Sequence, residues 1–386
     1  MNKQTVAVFF GSRSAEHDVS IVTAISSVIK PLQMTKKYDV LPVYIAKDGR
    51  WFAGEALGRI DLFRSGKIDE YMAKHKPTLL ELGDGLCLVR PSLRDIRTKI
   101  DVAFPATHGT HGEDGELMAL FELANIPYVG CDMPASVLSM DKVLSKIIVE
   151  KAELPTPKYE WFYSADFSMN PEPILHVLKS LRYPLFVKPP HLGSSIGTSR
   201  VANETELINA VEVAMHYDNK VLVEEGVPNL IEVTVPIMGN EKPYPAIVEQ
   251  PLTNSEDFFD FNTKYIRQGG KKTGGKGKAG AQGYSKIPAD ISKALYEKAE
   301  DTAVAVYKAL GCSGIARIDL LIDSKSKILY FNEVNPLPGS LYAHNWRAAG
   351  VSGIQLVEDL VEYALQRYAE KRQLDTVFNT NFLQQF

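Results

Sequence analysis

Cysteine is scarce in this sequence, and positive charge is not in excess. The 386 residues include three cysteines, which lie far apart and form no Cys-x-x-Cys pair: Cys87, Cys131 and Cys312. This pattern argues against a disulfide framework or a zinc cage and favours a reducing compartment. Lys and Arg number 43 against 47 Asp and Glu, a net charge of −4. No global positive field is available for a nucleic-acid backbone, and we expect no nucleic-acid partner.

Long hydrophobic runs are also missing. No stretch approaches the roughly 18–20 apolar residues that a membrane span needs. The first apolar run, Val6–Phe10, is too short for the core of a signal peptide. The hydrophobic fraction of 45% and the charged fraction of 23% are those of an ordinary soluble protein, and the length suggests two or three domains. We expect a cytoplasmic protein with no membrane partner.

The first third of the chain does contain alternating strand and helix patterns. Runs that predict strands alternate with segments of helical spacing, in the order Val6–Phe10, Glu16–Ile29, Asp39–Tyr44, Val102–Pro105, Glu116–Ala124 and Pro127–Val129. This alternation is typical of an α/β layer with a mostly parallel sheet. A ligand site is then expected at the carboxyl ends of the strands, near Gly11 and His108.

Two further units follow. We predict a domain of residues 1–132, a second of 133–225 and a third of 226–386. The second includes a predicted helix, Ser136–Lys151, and further elements at Pro184–Val187, Glu204–Met215 and Lys220–Glu225. Within the third, the Gly/Lys-rich segment 266–284 has too few apolar residues to pack and predicts a mobile surface loop.

Two strand-like segments, Ile315–Ile322 and Ile328–Asn335, flank a polar stretch that predicts a hairpin. Each has polar residues two apart, which share one face of a strand: Arg317 and Asp319 on the first, Glu333 and Asn335 on the second. Two carboxylates and an amide oxygen suit Mg²⁺ shared with nucleotide phosphates. The alternative is a solvent-facing hairpin with an Arg–Glu ion pair.

A lysine ends a second strand-like run, and a loop of glycine and serine follows it. Lys188 precedes the loop, which ends at Gly197. Glycines let backbone N–H groups approach phosphate oxygens, and the lysine adds a positive charge. Lys142, near the start of a predicted helix, is a candidate for a second phosphate contact. A simple turn and a surface lysine are the alternatives.

Two other motifs partly match known sites, a nucleotide P-loop and a zinc site, but each lacks a required residue. Residues 270–276 match the first seven positions of a nucleotide P-loop, but Gly277 stands where the metal-binding hydroxyl is needed. The segment is better interpreted as a basic lid. His108 and His111 lie three residues apart without a third soft ligand, which favours a loop contact over zinc.

Taken together, these motifs resemble the D-alanine:D-alanine ligases of the ATP-grasp superfamily, over nearly the whole chain. The segments that carry the resemblance are Val6–Ser20 (VAVFFGSRSAEHDVS), His108–Glu116 (HGTHGEDGE), Ser139–Lys146 (SMDKVLSK), Lys188–Gly197 (KPPHLGSSIG), Phe258–Tyr265 (FFDFNTKY), Ala316–Asp319 (ARID) and Asn332–Gly339 (NEVNPLPG). It implies a three-domain ATP-grasp architecture with an N-terminal parallel α/β domain, a lid loop at 256–286, and ATP between the second and third domains. It also implies a homodimer.

The resemblance assigns roles residue by residue. For ATP it implies phosphate contacts from Lys142, Lys188, Gly193 and Ser195, and adenine and ribose contacts from Glu224, Glu225, Glu232 and Phe258. Two Mg²⁺ ions, with Mn²⁺ as an alternative, would be held by Asp319, Glu333 and Asn335. Substrate contacts would come from His108, the lid residue Lys264, and His344.

The implied activity is ATP-dependent joining of two D-alanines for peptidoglycan synthesis. The donor carboxylate attacks the γ-phosphate, and the acceptor amine then attacks the acyl phosphate, with catalysis by positioning and electrostatics. Arg317 and the Gly339 N–H match the family's oxyanion stabilisers. Glu16 would bind the donor ammonium group, and with Ser194 and Tyr265 it matches a hydrogen-bonded trio that orients the acceptor.

The sequence departs from the family pattern in places. Gly11-Ser12 replaces the usual Gly-Gly, and the segment after Gly339 has His344 where the family has a serine that binds the acceptor carboxylate. A histidine still donates hydrogen bonds, but it is larger and titrates near neutral pH. An acceptor such as D-serine, D-lactate or an L-amino acid is therefore the alternative, although Tyr265 favours an amine acceptor.

Overall fold

A computed structural model describes residues 3–83, 85–252, 285–377 and 380–386. The strands are β1 (Gln4–Gly11), β2 (Tyr38–Ile45), β3 (Trp51–Ala53), β4 (Leu79–Gly83), β5 (Gly85–Arg90), β6 (Ile96–Ile100), β7 (Val102–Pro105), β8 (Tyr159–Tyr163), β9 (Leu185–Lys188), β10 (Ser199–Val201), β11 (Lys220–Glu225), β12 (Leu230–Met238), β13 (Tyr244–Pro245), β14 (Gln250–Pro251), β15 (Ser285–Lys286), β16 (Ile315–Asp323) and β17 (Leu329–Asn335).

The α-helices are α1 (His17–Val22), α2 (Lys30–Thr35), α3 (Ile60–Arg64), α4 (Ile68–Lys74), α5 (Glu116–Leu123), α6 (Met133–Met140), α7 (Lys142–Lys151), α8 (Ser164–Met169), α9 (Pro171–Leu178), α10 (Glu204–Met215), α11 (Lys293–Ala309), α12 (Ala343–Ala348) and α13 (Gly353–Lys371). A π-helical stretch, Thr23–Ile29, joins α1 to α2. Within the described part of the chain, no helix is both long and apolar enough to cross a lipid bilayer.

The N-terminal sheet has the strand order β3-β2-β1-β7 and is mostly parallel, as predicted. Strand β1 pairs in parallel with both β2 and β7. Its side chains are buried on both faces, as expected for a central parallel strand. The strand ends at Gly11, with φ +96°, where a Cβ atom would lie 2.2 Å from the carbonyl oxygen of Ile45. Only glycine fits this turn, which brings the next residues to the carboxyl edge of the sheet.

The other two large sheets are antiparallel, with orders β10-β9-β11-β8 and β13-β12-β16-β17. The hairpin predicted around residue 325 is confirmed, with Asp319 opposite Glu333 and Arg317 opposite Asn335. Residues 50–100 add an antiparallel sheet, β4-β5-β6. The segment 266–284, and residues 256–284 of the predicted lid, lie outside the described residues.

Two local predictions are wrong. The single helix predicted at Ser136–Lys151 is two helices, because Asp141 has extended backbone angles and its carboxylate caps α7, accepting from the N–H groups of Val143 and Leu144. The strand predicted at Pro127–Val129 is reduced to a single parallel bridge between Tyr128 and Ala103.

The C-terminal helix α13 packs against the N-terminal sheet. Its buried apolar stripe includes Leu356, Val357, Leu360 and Val361. These side chains share one core cluster with Val6, Val8 and Phe10 of β1. The end of the chain therefore stabilises its beginning. The division into domains at residues 133 and 226 stays a prediction, and α13 of the predicted third domain packs into the core of the predicted first.

We expect Leu360→Ala to lower the free energy of unfolding by about 2–5 kcal/mol, because it leaves a cavity between α13 and the N-terminal sheet. Leu374→Ala is the matched control, since Leu374 is 67% exposed, and it should cost less than about 0.5 kcal/mol. Urea unfolding followed by fluorescence measures both. Equal effects of the two substitutions would contradict the packing of α13.

Candidate active site

Three parts of the fold meet at one cleft. They are the carboxyl edge of the N-terminal sheet, the loop between β9 and β10, and the facing polar side chains of the β16–β17 hairpin. Contacts between side chains of these parts and of the helices beside them, described below, bring the parts together. Most of the residues singled out from the sequence lie here.

The hairpin presents a bidentate ion pair. Nε and one terminal nitrogen of Arg317 donate to the two carboxylate oxygens of Asp319, at 2.9 and 2.6 Å. Thr234 donates to the same carboxylate at 2.9 Å, and Asn335 lies 3.4 Å from it. Although burial alone lowers the pKa of Arg317, Asp319 raises it above its usual range. Arg317 therefore pairs with Asp319, and not with a glutamate as in the alternative interpretation of the hairpin.

Lys142 connects the hairpin to the phosphate-loop candidate. Its Nζ lies 3.2 Å from a carboxylate oxygen of Glu333 and donates to the carbonyl oxygen of Leu192 at 2.8 Å. Its backbone N–H also donates to the carbonyl oxygen of Pro190, at 3.3 Å. The lysine begins α7, so the cap of that helix and the loop are fixed together. Lys142 is not an isolated surface lysine.

Lys188 belongs to a buried cluster of two lysines and one carboxylate. Its Nζ donates to Oε1 of Glu224 and to the side-chain oxygen of Asn332. The other Glu224 oxygen lies 2.9 Å from Nζ of Lys146, which is fully buried. Burial alone raises the pKa of Glu224, but the two lysines hold it well below its usual range. Burial lowers the pKa of Lys146.

Lys146 was quoted in a motif but received no role from the sequence. Lys146 lies four residues after Lys142, one helical turn away on the same face. This spacing was the sequence signal that could have identified Lys146 as a site residue. What the sequence could not show is that Glu224, 78 positions away, lies between Lys146 and Lys188.

The two adjacent glutamates at the end of β11 point to opposite faces. Glu224 faces Lys188, whereas Glu225 accepts hydrogen bonds from the backbone and guanidinium of Arg182. Alternation along a strand requires this separation. Glu232 lies on β12, opposite Leu321. Nucleotide roles for Glu225 and Glu232 stay predictions.

The loop after Lys188 reaches the N-terminal domain. The hydroxyl of Ser194 donates to Oε1 of Glu16, and a Cβ atom at Gly193 would lie 2.9 Å from Oε2 of the same carboxylate. Ser194 and Ser195 both have left-handed backbone angles, with φ +53° and +58°. Two members of the predicted trio are therefore in contact. The third, Tyr265, lies outside the described residues, as do Lys264 and Phe258.

A second contact joins the N-terminal domain to the end of the hairpin. Nε2 of His108 lies 2.8 Å from the hydroxyl of Thr23, which accepts a hydrogen bond from the N–H of Ser340 at 2.9 Å. Behind the imidazole, Nδ1 of His108 lies 3.8 Å from buried Glu113. Burial raises the pKa of Glu113. His111 instead pairs with Glu116, so the two histidines have separate partners.

The segment after Gly339 is strained. Ser340, Leu341 and Tyr342 all have φ between +51° and +53°, a conformation that costs non-glycine residues energy. The ring of Tyr342 lies 5.3 Å from Cζ of Arg317 and 4.6 Å from the ring of His344. The strained turn thereby places His344 beside the β16–β17 hairpin. The sequence offered no signal for this geometry.

His191 anchors the start of the loop between β9 and β10. Its Nδ1 lies 2.9 Å from a carboxylate oxygen of Asp218, and its Nε2 lies 3.2 Å from Asp141. Lys220 also contacts Asp141. Hydrogen bonds to Asp141 and Asp218 raise the pKa of His191 to about 9. The loop and the cap of α7 are therefore tied through a charged imidazole.

Comparisons with known proteins agree along the whole chain. A family model described as "D-ala D-ala ligase N-terminus" matches residues 5–131, and one described as "D-ala D-ala ligase C-terminus" matches residues 148–362. A D-alanine--D-alanine ligase of Chloroherpeton thalassium is 36% identical over 379 residues, which cover 96% of this chain and 99% of that protein. One of Acetivibrio thermocellus is 36% identical over 384 residues, covering 95% and 97%.

Solved structures give the same picture. The D-alanine-D-alanine ligase from Coxiella burnetii has a TM-score of 0.78 and 27% identity, and the match covers 97% of both chains. The VanG D-Ala:D-Ser ligase from Enterococcus faecalis has a TM-score of 0.77 and 31% identity, covering 94% of this chain and 100% of that one.

The anchor at His191 gives a prediction for pH. Because its pKa of about 9 is above the roughly 6.5 of a free imidazole, its contribution to stability is complete below about pH 6 and is lost as pH rises through 9. His191→Gln should lower the melting temperature more at about pH 6 than at about pH 10. His176→Gln, at an exposed position, is the control. A deficit that is equal at both pH values would contradict a charged anchor.

Proposed function

Because this chain belongs to the D-ala D-ala ligase family, we propose that it uses ATP to join two D-alanines into D-alanyl-D-alanine for peptidoglycan synthesis. The observation that carries the proposal is the cleft in which Lys142 and Arg317 pair with Glu333 and Asp319 of the β16–β17 hairpin. Lys188 joins them there, with its Nζ on the amide oxygen of Asn332. This arrangement combines cations for a polyphosphate with oxygen ligands for a metal. It suits carboxylate activation by phosphoryl transfer.

In the first step, an oxygen of the donor carboxylate attacks the γ-phosphorus of ATP, and ADP leaves. Negative charge is spread over the transferring group, so fixed cations stabilise it. Lys142 and Lys188 approach the cleft from α7 and β9, and the Gly193–Gly197 loop lies beside Lys142 through Leu192. These residues would hold the phosphates in line with the donor.

The hairpin fits Mg²⁺ through its oxygen donors. Asp319 and Glu333 are opposite each other, and Asn335 is beside Asp319. Among the described residues, no three His, Cys, Asp or Glu side chains could hold a metal by themselves. Phosphate oxygens would complete the coordination, as is usual for Mg²⁺ bound with ATP. The ions would offset phosphate charge, and Mn²⁺ has the same preference for oxygen ligands.

In the second step, the acceptor amine attacks the acyl carbon, and phosphate leaves from the tetrahedral species. Arg317 and the N–H of Gly339 would stabilise its oxyanion. Glu16 would bind the donor ammonium group while Ser194 fixes the Glu16 carboxylate. His108, held by Thr23, would contact the substrates from the N-terminal side.

One side chain, His344, supports a second candidate for the acceptor substrate. His344 occupies the position of a serine that the family uses for the acceptor carboxylate. The similar VanG protein is named a D-Ala:D-Ser ligase. D-Serine, with its extra hydroxyl group, is therefore the second candidate acceptor.

Use of ATP also places the proposed reaction in the cytoplasm, where that nucleotide is available. A homodimer is part of the same proposal, and it follows from the resemblance to the family. Neither affects the assignment of the cleft.

The experiment that tests the function is mass analysis of the product. We expect pure protein with ATP, Mg²⁺ and D-alanine to form D-alanyl-D-alanine as the dominant product. Parallel reactions add D-serine, D-lactate or L-alanine in equal amount. A mixed dipeptide or depsipeptide as the main product would retain the fold and reaction class but overturn the acceptor. If no reaction gives a product, the proposed ligase activity is wrong.

We expect Asp319→Asn to reduce kcat by about 100-fold or more, because it removes an ionised metal ligand and the partner of Arg317. Circular dichroism should show a folded protein. Asp301→Asn, on the exposed side of α11, should keep full activity. A D319N variant with the wild-type rate and Mg²⁺ dependence would refute the metal assignment.

A further inference from the structure

Glu249 is a buried carboxylate that the proposed reaction does not use. Its side chain is 4% exposed, and Oε2 lies 2.9 Å from Nε2 of His344. The same oxygen accepts a hydrogen bond from the side-chain amide of Asn345, at 3.2 Å. A buried carboxylate is costly unless it is paired. Glu249 and His344 therefore act as one unit, although they are 95 positions apart.

This pair lies next to the reacting groups. The backbone of Glu249 exchanges two hydrogen bonds with Thr234, at 2.8 and 2.9 Å, in the strand beside that of Arg317. On the other side, the centre of the His344 ring is 4.6 Å from the centre of the Tyr342 ring. Cζ of Arg317 lies 5.3 Å from the centre of the same Tyr342 ring. The pair is thus fixed to the hairpin from two directions.

The two ends of the pair differ in access. The side chain of His344 is 21% exposed, against 4% for Glu249. Within the described residues, the bond from Nε2 to Glu249 is the one hydrogen bond recorded for this imidazole. A carboxylate on Nε2 fixes the proton there and the plane of the ring. Nδ1 is then the nitrogen left for a ligand.

Charge supports the same orientation. Burial alone raises the pKa of Glu249, but the hydrogen bond from His344 holds it below its usual range. The ionised carboxylate therefore accepts the hydrogen bond from Nε2 and fixes the plane of the ring.

We propose that Glu249 is a positioning residue for the acceptor: it holds His344 through Nε2, so that the Nδ1 edge of the ring faces the incoming amino acid. This inference rests on the proposed function, and it names the residue that lets a histidine replace the family's serine. Glu249 itself touches no substrate. Its effect passes through His344.

The test is a double-mutant cycle on acceptor kinetics. Glu249→Gln keeps a hydrogen-bond acceptor for Nε2 but removes the charge, and His344→Gln removes the second ring nitrogen. With saturating ATP, each substitution should raise the KM for the acceptor by about tenfold, with the KM for ATP changed less than about twofold. The double variant should match the single variants, because the two residues act as one unit.

The matched control is Asp323→Asn. Asp323 is also buried, at 8% exposure, but its carboxylate holds the β16–β17 turn through Ser326 and Asn229. It should lower the melting temperature without changing the acceptor KM. This separates positioning from a loss of stability. If E249Q is too unstable to assay, Glu249→Asp takes its place in the cycle, because it keeps the charge but draws the carboxylate away from Nε2 of His344.

An unchanged acceptor KM in E249Q or H344Q would overturn the inference. So would an effect of E249Q that is just as large in the H344Q background, since Glu249 would then act without His344. Failure of the proposed function is a different result. If wild-type protein forms D-alanyl-D-serine instead of D-alanyl-D-alanine, the same cycle with D-serine still tests Glu249.

Discussion

Pairing of buried opposite charges holds the cleft together. Removing one ion from water costs several kcal/mol, and the cleft contains lysines, an arginine and carboxylates in close contact. Each has a partner of opposite charge. Lys188 and Lys146 pair with Glu224, Lys142 pairs with Glu333, and Arg317 pairs with Asp319 on its own strand. A core of apolar side chains would be cheaper to bury. Under the proposed function, these charges serve a ligand that carries both phosphate and metal.

The same pairing brings the parts of the chain into register. Lys142 and Lys188 belong to the central part, and their partners Glu333 and Asn332 belong to the last hairpin. Ser194 reaches Glu16 in the N-terminal part. Each contact joins two separate parts of the chain, and together they bring the three parts to one cleft. The phosphates of ATP would compete for the same lysines, which gives nucleotide binding a direct influence on docking.

The sequence predicted the hairpin well because its information is local. Arg317 and Asp319 share a face through the period of two, and the strand register then places them beside Asn335. Contacts between distant positions could not be predicted this way. Lys146 with Glu224, and Glu249 with His344, are joined only by the tertiary fold. The break at Asp141 was missed for another reason: helical spacing continues through it, and the cap became visible only with its backbone angles.

The strained turn after Gly339 gives the last link between fold and specificity. Three consecutive left-handed residues each cost on the order of 1 kcal/mol or more, so surrounding contacts must hold them. Thr23 fixes the N–H of Ser340, and Arg317 lies against the ring of Tyr342. His344, on the helix that follows, then meets Glu249. The turn thereby links Thr23 of the N-terminal part with Arg317 and His344. Under the role proposed for His344, a change of acceptor in this chain has to preserve that turn.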